Sequence, residues 1–219
     1  ILAHVAQVKS LIKAFNNDED IHNVTAMEVF QVDKDKLTND LRRKAKTINF
    51  GIIYGISPYG LATQLDISNS EAKDYINNYF DKYPGIKEYM ENTIEHCRLN
   101  GFVVTPFGRR IYIPFINDKV VTRRNFAERS AINAPIQGGA ADLIKIVMPK
   151  VSDLIKKQKL KSKMLIQVHD ELIFEVPKDE VNLIQKEFYG FGMMPLQTVW
   201  QEHLLIILKF TTMIHTIKI

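Results

Sequence analysis

Cysteine is nearly absent from this chain: Cys97 is the only one in 219 residues. That excludes an intrachain disulfide framework and fits a reducing compartment. Long hydrophobic runs are missing too. The most apolar stretch, residues 204–208, falls far short of the ~20 residues a membrane-spanning helix needs, and the N-terminal residues lack the charged and apolar segments of a secretory signal. A cytoplasmic protein with no membrane partner is the expectation. There is no internal repeat and no low-complexity tract, and no charge of one sign dominates. The 29 basic residues against 25 acidic ones leave a net charge of +4, which suits a polyanionic partner without requiring one. With 46% apolar and 25% charged residues, the composition is that of an ordinary globular protein with room for one sizeable core or two small ones. The chain starts at Ile1 rather than Met, in the apolar run Ile-Leu-Ala-His-Val-Ala, which reads as the middle of an element.

What is present reads as mostly helical over the first two thirds. Asn17 to Asp20 makes an acidic turn ahead of a helix over residues 21–30. Thr38 is an N-cap for the next helix, with Asp40 favourably placed in its first turn and Gly55 as its stop. Ser57-Pro58 supplies a cap followed by Pro at the first helical position. Ser68-Asn69-Ser70-Glu71 has capping-box spacing and opens a helix running towards Pro84-Gly85. A further helix covers residues 86–99. From Gly101 to Pro114, β-branched and aromatic residues around Thr105-Pro106-Phe107-Gly108 predict a hairpin or a paired extended segment. Helix returns near Arg123, and Lys156 to Lys163 is a basic connector suited to a solvated loop.

The most informative stretch runs from Arg42 to Gly55. At about 100° per residue, Leu41, Ala45, Ile48 and Ile52 fall on one face, while Arg42, Lys46, Phe50 and Tyr54 form a stripe on the other. Cations followed by aromatic rings suit a ligand with a polyanion at one end and a flat base at the other. Taken alone, the same stripe would equally make a wet helix face with two rings packed on a neighbour.

Two further constellations stand out. Met164-Leu165-Ile166-Gln167-Val168 and Leu172-Ile173-Phe174-Glu175-Val176 are strand-like runs separated by His169-Asp170-Glu171, so they predict a tight hairpin with an acidic tip. Adjacent carboxylates at a strand junction point to opposite faces, which lets one bind a metal while the other takes a different role; an ordinary polar turn is the plain alternative. In Arg129-Ser130-Ala131-Ile132-Asn133-Ala134-Pro135-Ile136-Gln137-Gly138-Gly139, the polar residues Arg129, Asn133 and Gln137 recur every fourth position and share one helical stripe. Pro135 predicts a bend there. Without further context these are polar positions on a surface helix.

Taken together, these segments resemble the family A DNA polymerases, the family of bacterial DNA polymerase I. Arg42-x-x-x-Lys46-x-x-x-Phe50-Gly51-x-x-Tyr54-Gly55 resembles the fingers helix that binds the incoming deoxynucleoside triphosphate. Gln167-Val168-His169-Asp170-Glu171 resembles the palm motif that carries the second catalytic aspartate. The Arg129 to Gln137 segment is similar to the palm helix that contacts primer and template. Asp20-Ile21-His22-Asn23-Val24-Thr25-Ala26, Tyr83-Pro84-Gly85 and Gly108-Arg109-Arg110 also match, so the likeness extends from Ile1 to about Val181.

The resemblance implies an α+β chain with a right-hand polymerase architecture: helical fingers over 1–128, a partial palm with an antiparallel hairpin over 129–187, and an atypical tail over 188–219. It implies a DNA-directed DNA polymerase of replication and repair, transferring a nucleotide from dNTP to a primer 3′-hydroxyl with two Mg²⁺ ions about 4 Å apart. Asp170 would be the metal ligand, and Asp170, Glu171 and Lys46 the catalytic set. His22, Arg42 and Lys46 would hold the triphosphate, with Phe50 against sugar and base and Tyr54 near the templating position. Arg129, Asn133, Gln137, His169, Arg109 and Arg110 would contact primer-template DNA. Asn and Gln suit the minor-groove acceptors that every base pair presents. In this family a Phe at the position of Phe50 goes with discrimination against dideoxynucleotides.

Two departures qualify this. The family's first catalytic segment, of the Asp-Tyr-Ser-Gln-Ile-Glu-Leu-Arg type, occurs nowhere in the 219 residues, so one carboxylate ligand would lie outside this chain. An upstream polymerase fragment is then a candidate partner, and the hairpin is expected to leave apolar sheet edge uncovered. After about Gln185 no family-like ending follows, and a change of reading frame is the expectation. Alternative readings are a nucleotide- or DNA-binding remnant without catalysis and a phage-type single-subunit RNA polymerase. The latter group usually carries Tyr at the ring position with different spacing.

Overall fold

The computed structural model describes residues 1–17, 19–169, 171–190, 194–200 and 203–209, with the backbone alone from 188 onwards. The chain divides into two compact units, Ile1–Gly139 and Ala140–Ile219.

In the first unit, α1 (Leu2–Val5) and α2 (Lys9–Asn16) lead to α3 (Ile21–Phe30), whose N-cap Asp20 accepts from the amides of His22 and Asn23. After a 3₁₀ turn at Lys34–Lys36 comes α4 (Asn39–Ile53). Its cap is Thr38, as the sequence predicts: Oγ1 accepts from the Leu41 amide at 3.2 Å. The Ser57 and Ser68 caps open α5 (Pro58–Leu65) and α6 (Asn69–Lys82) in the same way. Helix α7 (Pro84–Asn100) ends on Gly101, and the expected hairpin forms from β1 (Phe102–Val104) and β2 (Arg110–Tyr112), paired antiparallel. Helix α8 (Val121–Lys157) runs through Pro135 without a break and continues into the second unit.

The apolar face of α4 is what fixes its orientation. Ile48 and Ile52 are buried in a cluster with Val29, Leu61, Ala72, Tyr79, Tyr83 and Ile86, Ala45 is fully buried as well, and burying each Ile side chain contributes about 1.5–3 kcal/mol relative to leaving it in water. Leu41, the fourth residue of that face, is half-buried. At Tyr83-Pro84-Gly85, the proline starts α7 and the glycine permits a close approach, since a Cβ there would collide with the carbonyl oxygen of Ala6. A second cluster joins Cys97, Val103, Ile113, Ile116, Ala127 and Ala131.

In the second unit, β3 (Lys163–Val168), β4 (Glu171–Pro177), α9 (Val181–Gly190), β5 (Met194–Trp200) and β6 (His203–Lys209) follow in sequence. The strands form an antiparallel sheet in the order β3-β4-β6-β5. Along β4 burial alternates, with Leu172, Phe174 and Val176 enclosed. The expectation of an uncovered edge is corrected on that side: β6 pairs along all of β4, from Glu171 opposite Lys209 to Pro177 opposite His203. The apolar run 204–208 supplies that strand. The outer strands of this sheet are β3 and β5, and on β3 Leu165, Ile166 and Val168 are exposed.

Candidate functional site

On α4 the local charges sort themselves before any ligand is considered. Asp40 in the first turn takes Arg43 at 2.7 Å and Lys44 at 3.3 Å, which leaves Arg42 and Lys46 for the stripe. Arg42 does not stand alone: its Nε and Nη2 both donate to Oδ2 of Asp20, at 2.9 and 2.7 Å. The other oxygen of Asp20 accepts from the amides of His22 and Asn23 at 2.9 and 3.2 Å. Partial burial pushes the pKa of this carboxyl upward, but the hydrogen bonds from Arg42, Asn23 and His22 outweigh it and hold that pKa below its ordinary value.

His22 follows on the first turn of α3. Burial pushes its imidazole below the usual histidine value; Asp20 opposes this, and the charges of Arg42 and Lys46 reinforce it. The ring centroid of His22 lies 5.9 Å from that of Phe50. Phe50 and Tyr54, 47% and 50% exposed, lie nearly parallel at 6.5 Å, and Nζ of Lys46 sits 6.0 Å from the Phe50 ring. Two large rings half in water, with cations at one end, are unusual for a solvated helix face.

A cavity of about 560 Å³ runs beside this stripe, lined by Lys46, Phe50, Tyr54, Gln64 and Arg129 among others. Gly55 ends α4 in the left-handed region at φ +71°, and a Cβ there would meet Cγ of Arg129 at 2.7 Å. The stem of Arg129 is thus laid directly over Gly55. Further along α8, Asn133 donates to the Arg129 carbonyl at 2.8 Å, leaving its buried Oδ1 without a protein partner. Gln137 is exposed. Arg109 donates from Nη2 to the Gly138 carbonyl at 3.0 Å, and the Arg110 guanidinium lies 4.9 Å from the Phe102 ring centroid. Both arginines of Gly108-Arg109-Arg110 therefore touch this unit.

Sequence reasoning missed a buried polar group behind the stripe. Asn49, 7% exposed, sits on the core side of α4; its Nδ2 lies 3.0 Å from Thr25 Oγ1 and 3.2 Å from His22 Nδ1. Thr25 in turn lies 3.4 Å from the hydroxyl of Tyr83, whose ionisation burial and the Glu28 carboxylate push well upward. The available signal was an Asn at the edge of the apolar arc, about 40° past Ala45 at 100° per residue.

In the second unit, Asp170 lies outside the described residues. His169 is exposed at φ +51° and its carbonyl accepts from Gln167 Nε2 at 2.7 Å. Glu171 opens β4 opposite Val168. Among the described residues no group of three or more His, Cys, Asp or Glu side chains is placed to hold a metal ion, and no helix is long and apolar enough to cross a membrane.

The chain matches the family model for DNA polymerase family A over residues 1–198. It is 49% identical over 181 residues to DNA polymerase I of Bacillus caldotenax, covering 83% of this chain and 21% of that protein. Against DNA polymerase I of Bacillus subtilis strain 168 it is 48% identical over 186 residues, covering 85% and 21%. Among solved structures, the POL domain of Pol1 from M. smegmatis, in complex with DNA primer-template and dNTP, matches with a TM-score of 0.83 and 38% identity, over 98% of this chain and 38% of that one. The fold is therefore that of the right-hand polymerases. The chain spans about a fifth of the length of the curated relatives it matches.

Proposed function

The chain belongs to DNA polymerase family A, and on that footing we propose that it is the nucleotide-delivering part of a DNA-directed DNA polymerase, a nucleotidyltransferase of replication and repair. Residues 1–128 are read as fingers and 129–187 as partial palm. The partners are primer-template DNA and dNTP, and the location is the cytoplasm. The observation that carries this reading is the exposed Lys46, Phe50 and Tyr54 stripe with His22 and Arg42 at its cationic end, bordering a cavity.

Each group has a distinct task. Arg42 spends its Nε hydrogen and one Nη2 hydrogen on Asp20, which leaves the rest of its five donors aimed by a fixed fork at phosphate oxygens. Lys46 adds a point charge where the leaving phosphates gather negative charge. Phe50 offers a face to sugar and base, and Tyr54 lies one turn on towards the templating position. Arg129, Asn133 and Gln137 contact the primer-template from one face of α8; Asn133 Oδ1 is a buried acceptor with capacity to spare. Arg109, Arg110 and His169 are the further DNA contacts. The DNA rather than RNA reading is supported by Phe50-Gly51-Ile52-Ile53-Tyr54-Gly55 and by relatives that are DNA polymerase I proteins.

Mg²⁺ would supply charge stabilisation and activation of the primer hydroxyl. The described residues do not by themselves form a site that fits two such ions. That site would draw on Asp170, with Glu171 as its acidic neighbour and a carboxylate from an upstream fragment. The isolated chain accordingly binds nucleotide and DNA without extending a primer. Primer extension with dNTP and Mg²⁺ tests this: binding without extension is expected from the 219-residue chain, and robust extension would contradict the need for an outside carboxylate.

A further inference from the structure

The buried polar group behind the stripe has a definite hydrogen-bond direction. The Thr25 hydroxyl owns a single hydrogen, and the carbonyl of Ile21, one turn back and 2.8 Å away, takes it. What Asn49 presents to Thr25 at 3.0 Å must then be its Nδ2 donor; Oδ1 of the same amide lies farther from the hydroxyl, at 3.3 Å, and would compete for a hydrogen already given. The second hydrogen on Nδ2 faces Nδ1 of His22 at 3.2 Å, and an amide N–H needs an acceptor there.

We propose that Asn49 is a positioning residue that holds His22 in the tautomer with a bare Nδ1 and a protonated Nε2, so that the ring offers an N–H donor to a phosphate oxygen of the bound nucleotide. This rests on the reading of His22 as a triphosphate contact. The charged and titratable groups facing the ring are Asp20, which precedes it, and Arg42 and Lys46 on α4; Phe50 covers one side. Burial and the two cations already disfavour an imidazolium. Asn49 adds to that preference, because a hydrogen on Nδ1 would point at the hydrogens of Nδ2. Sequence spacing conceals the arrangement: Asn49 is one residue before the exposed Phe50, and its partners lie 24 and 27 residues away.

Long-range ¹H–¹⁵N correlation spectra of the ¹⁵N-labelled full chain decide it, with the His22 signals identified by their loss in His22→Gln. The expected spectrum has Nδ1 of pyridine type and Nε2 of pyrrole type. Asn49→Asp turns the neighbour into an acceptor, so Nδ1 gains a proton and the ring titrates at higher pH. Asn49→Leu removes the preference, gives averaged nitrogen signals and weakens dATP binding about threefold to tenfold. A pyrrole-type Nδ1 in the unsubstituted chain overturns the proposal, as does an unchanged tautomer in Asn49→Leu. If neither variant folds, the spectrum of the unsubstituted chain alone settles the tautomer. A bare Nδ1 whose ring signals ignore saturating dATP would instead sink the triphosphate role of His22.

Discussion

One carboxylate, that of Asp20, serves two elements through separate oxygens: Oδ1 caps α3 at the amides of His22 and Asn23, while Oδ2 receives both Nε and Nη2 of Arg42. Because the pair is about two-fifths exposed, 42% and 35% by side chain, the ion pair adds little stability and the cap supplies most of it. Asp20→Ala is expected to lower stability by about 1 kcal/mol, the usual worth of an N-cap. Asp20→Asn, which can still cap, is expected to denature near the unsubstituted chain yet bind dNTP more weakly, since Arg42 loses its aim. Paired thermal denaturation and dNTP titration check both.

Acid should weaken the first unit in two stages. His22 and Asp20 both have folded values below their ordinary ones of 6.5 and 3.8. For each, the unfolded chain binds protons first, so stability is fully present above the ordinary value and is lost as pH falls through the folded one. The denaturation midpoint is expected to drop as pH falls below the histidine range, then again below the carboxylate range. His22→Gln should flatten the upper stage only, as read from urea midpoints across the pH series.

Gly55→Ala should damage both fold and site. The left-handed backbone at φ +71° disfavours any Cβ, and the added methyl would push the stem of Arg129 from its place at 2.7 Å. A stability loss of about 1–3 kcal/mol is expected, with weaker primer-template binding. Gly101→Ala makes a useful comparison: it shares the strained backbone but meets nothing within 4 Å. It should lose stability alone.

These positions show how far the sequence could be read. Caps at Thr38, Ser57 and Ser68, the stop at Gly55 and the β3-β4 hairpin were legible because each is written in a few adjacent residues. The Asp20–Arg42 pair, 22 residues apart, and the Thr25–Asn49–His22 group were not, because long-range partners leave no local period. The tail was opaque for a related reason. Its strand β6 reads as a short apolar run until β4 stands beside it. Asp170 falls outside the described residues, so the metal-binding end of the site rests on resemblance.

Phe50 carries a ring but no hydroxyl. In an active full-length enzyme, Phe50→Tyr is expected to relax discrimination against dideoxynucleotides, measured as the ratio of dideoxy to deoxy incorporation. Phe50→Ala in the present chain should weaken dNTP binding by about 1–3 kcal/mol, the worth of one base–aromatic stack. Unchanged incorporation ratios would count against the assignment of this ring to the nucleotide's sugar and base.

The central claim is that the exposed face of α4 receives a deoxynucleoside triphosphate. Equilibrium dialysis of radiolabelled dATP against the 219-residue chain and its Lys46→Ala variant tests it most directly. Saturable binding is expected, weakening by about tenfold or more when the charged contact is removed. Equal binding by the two chains, or none by either, would contradict it.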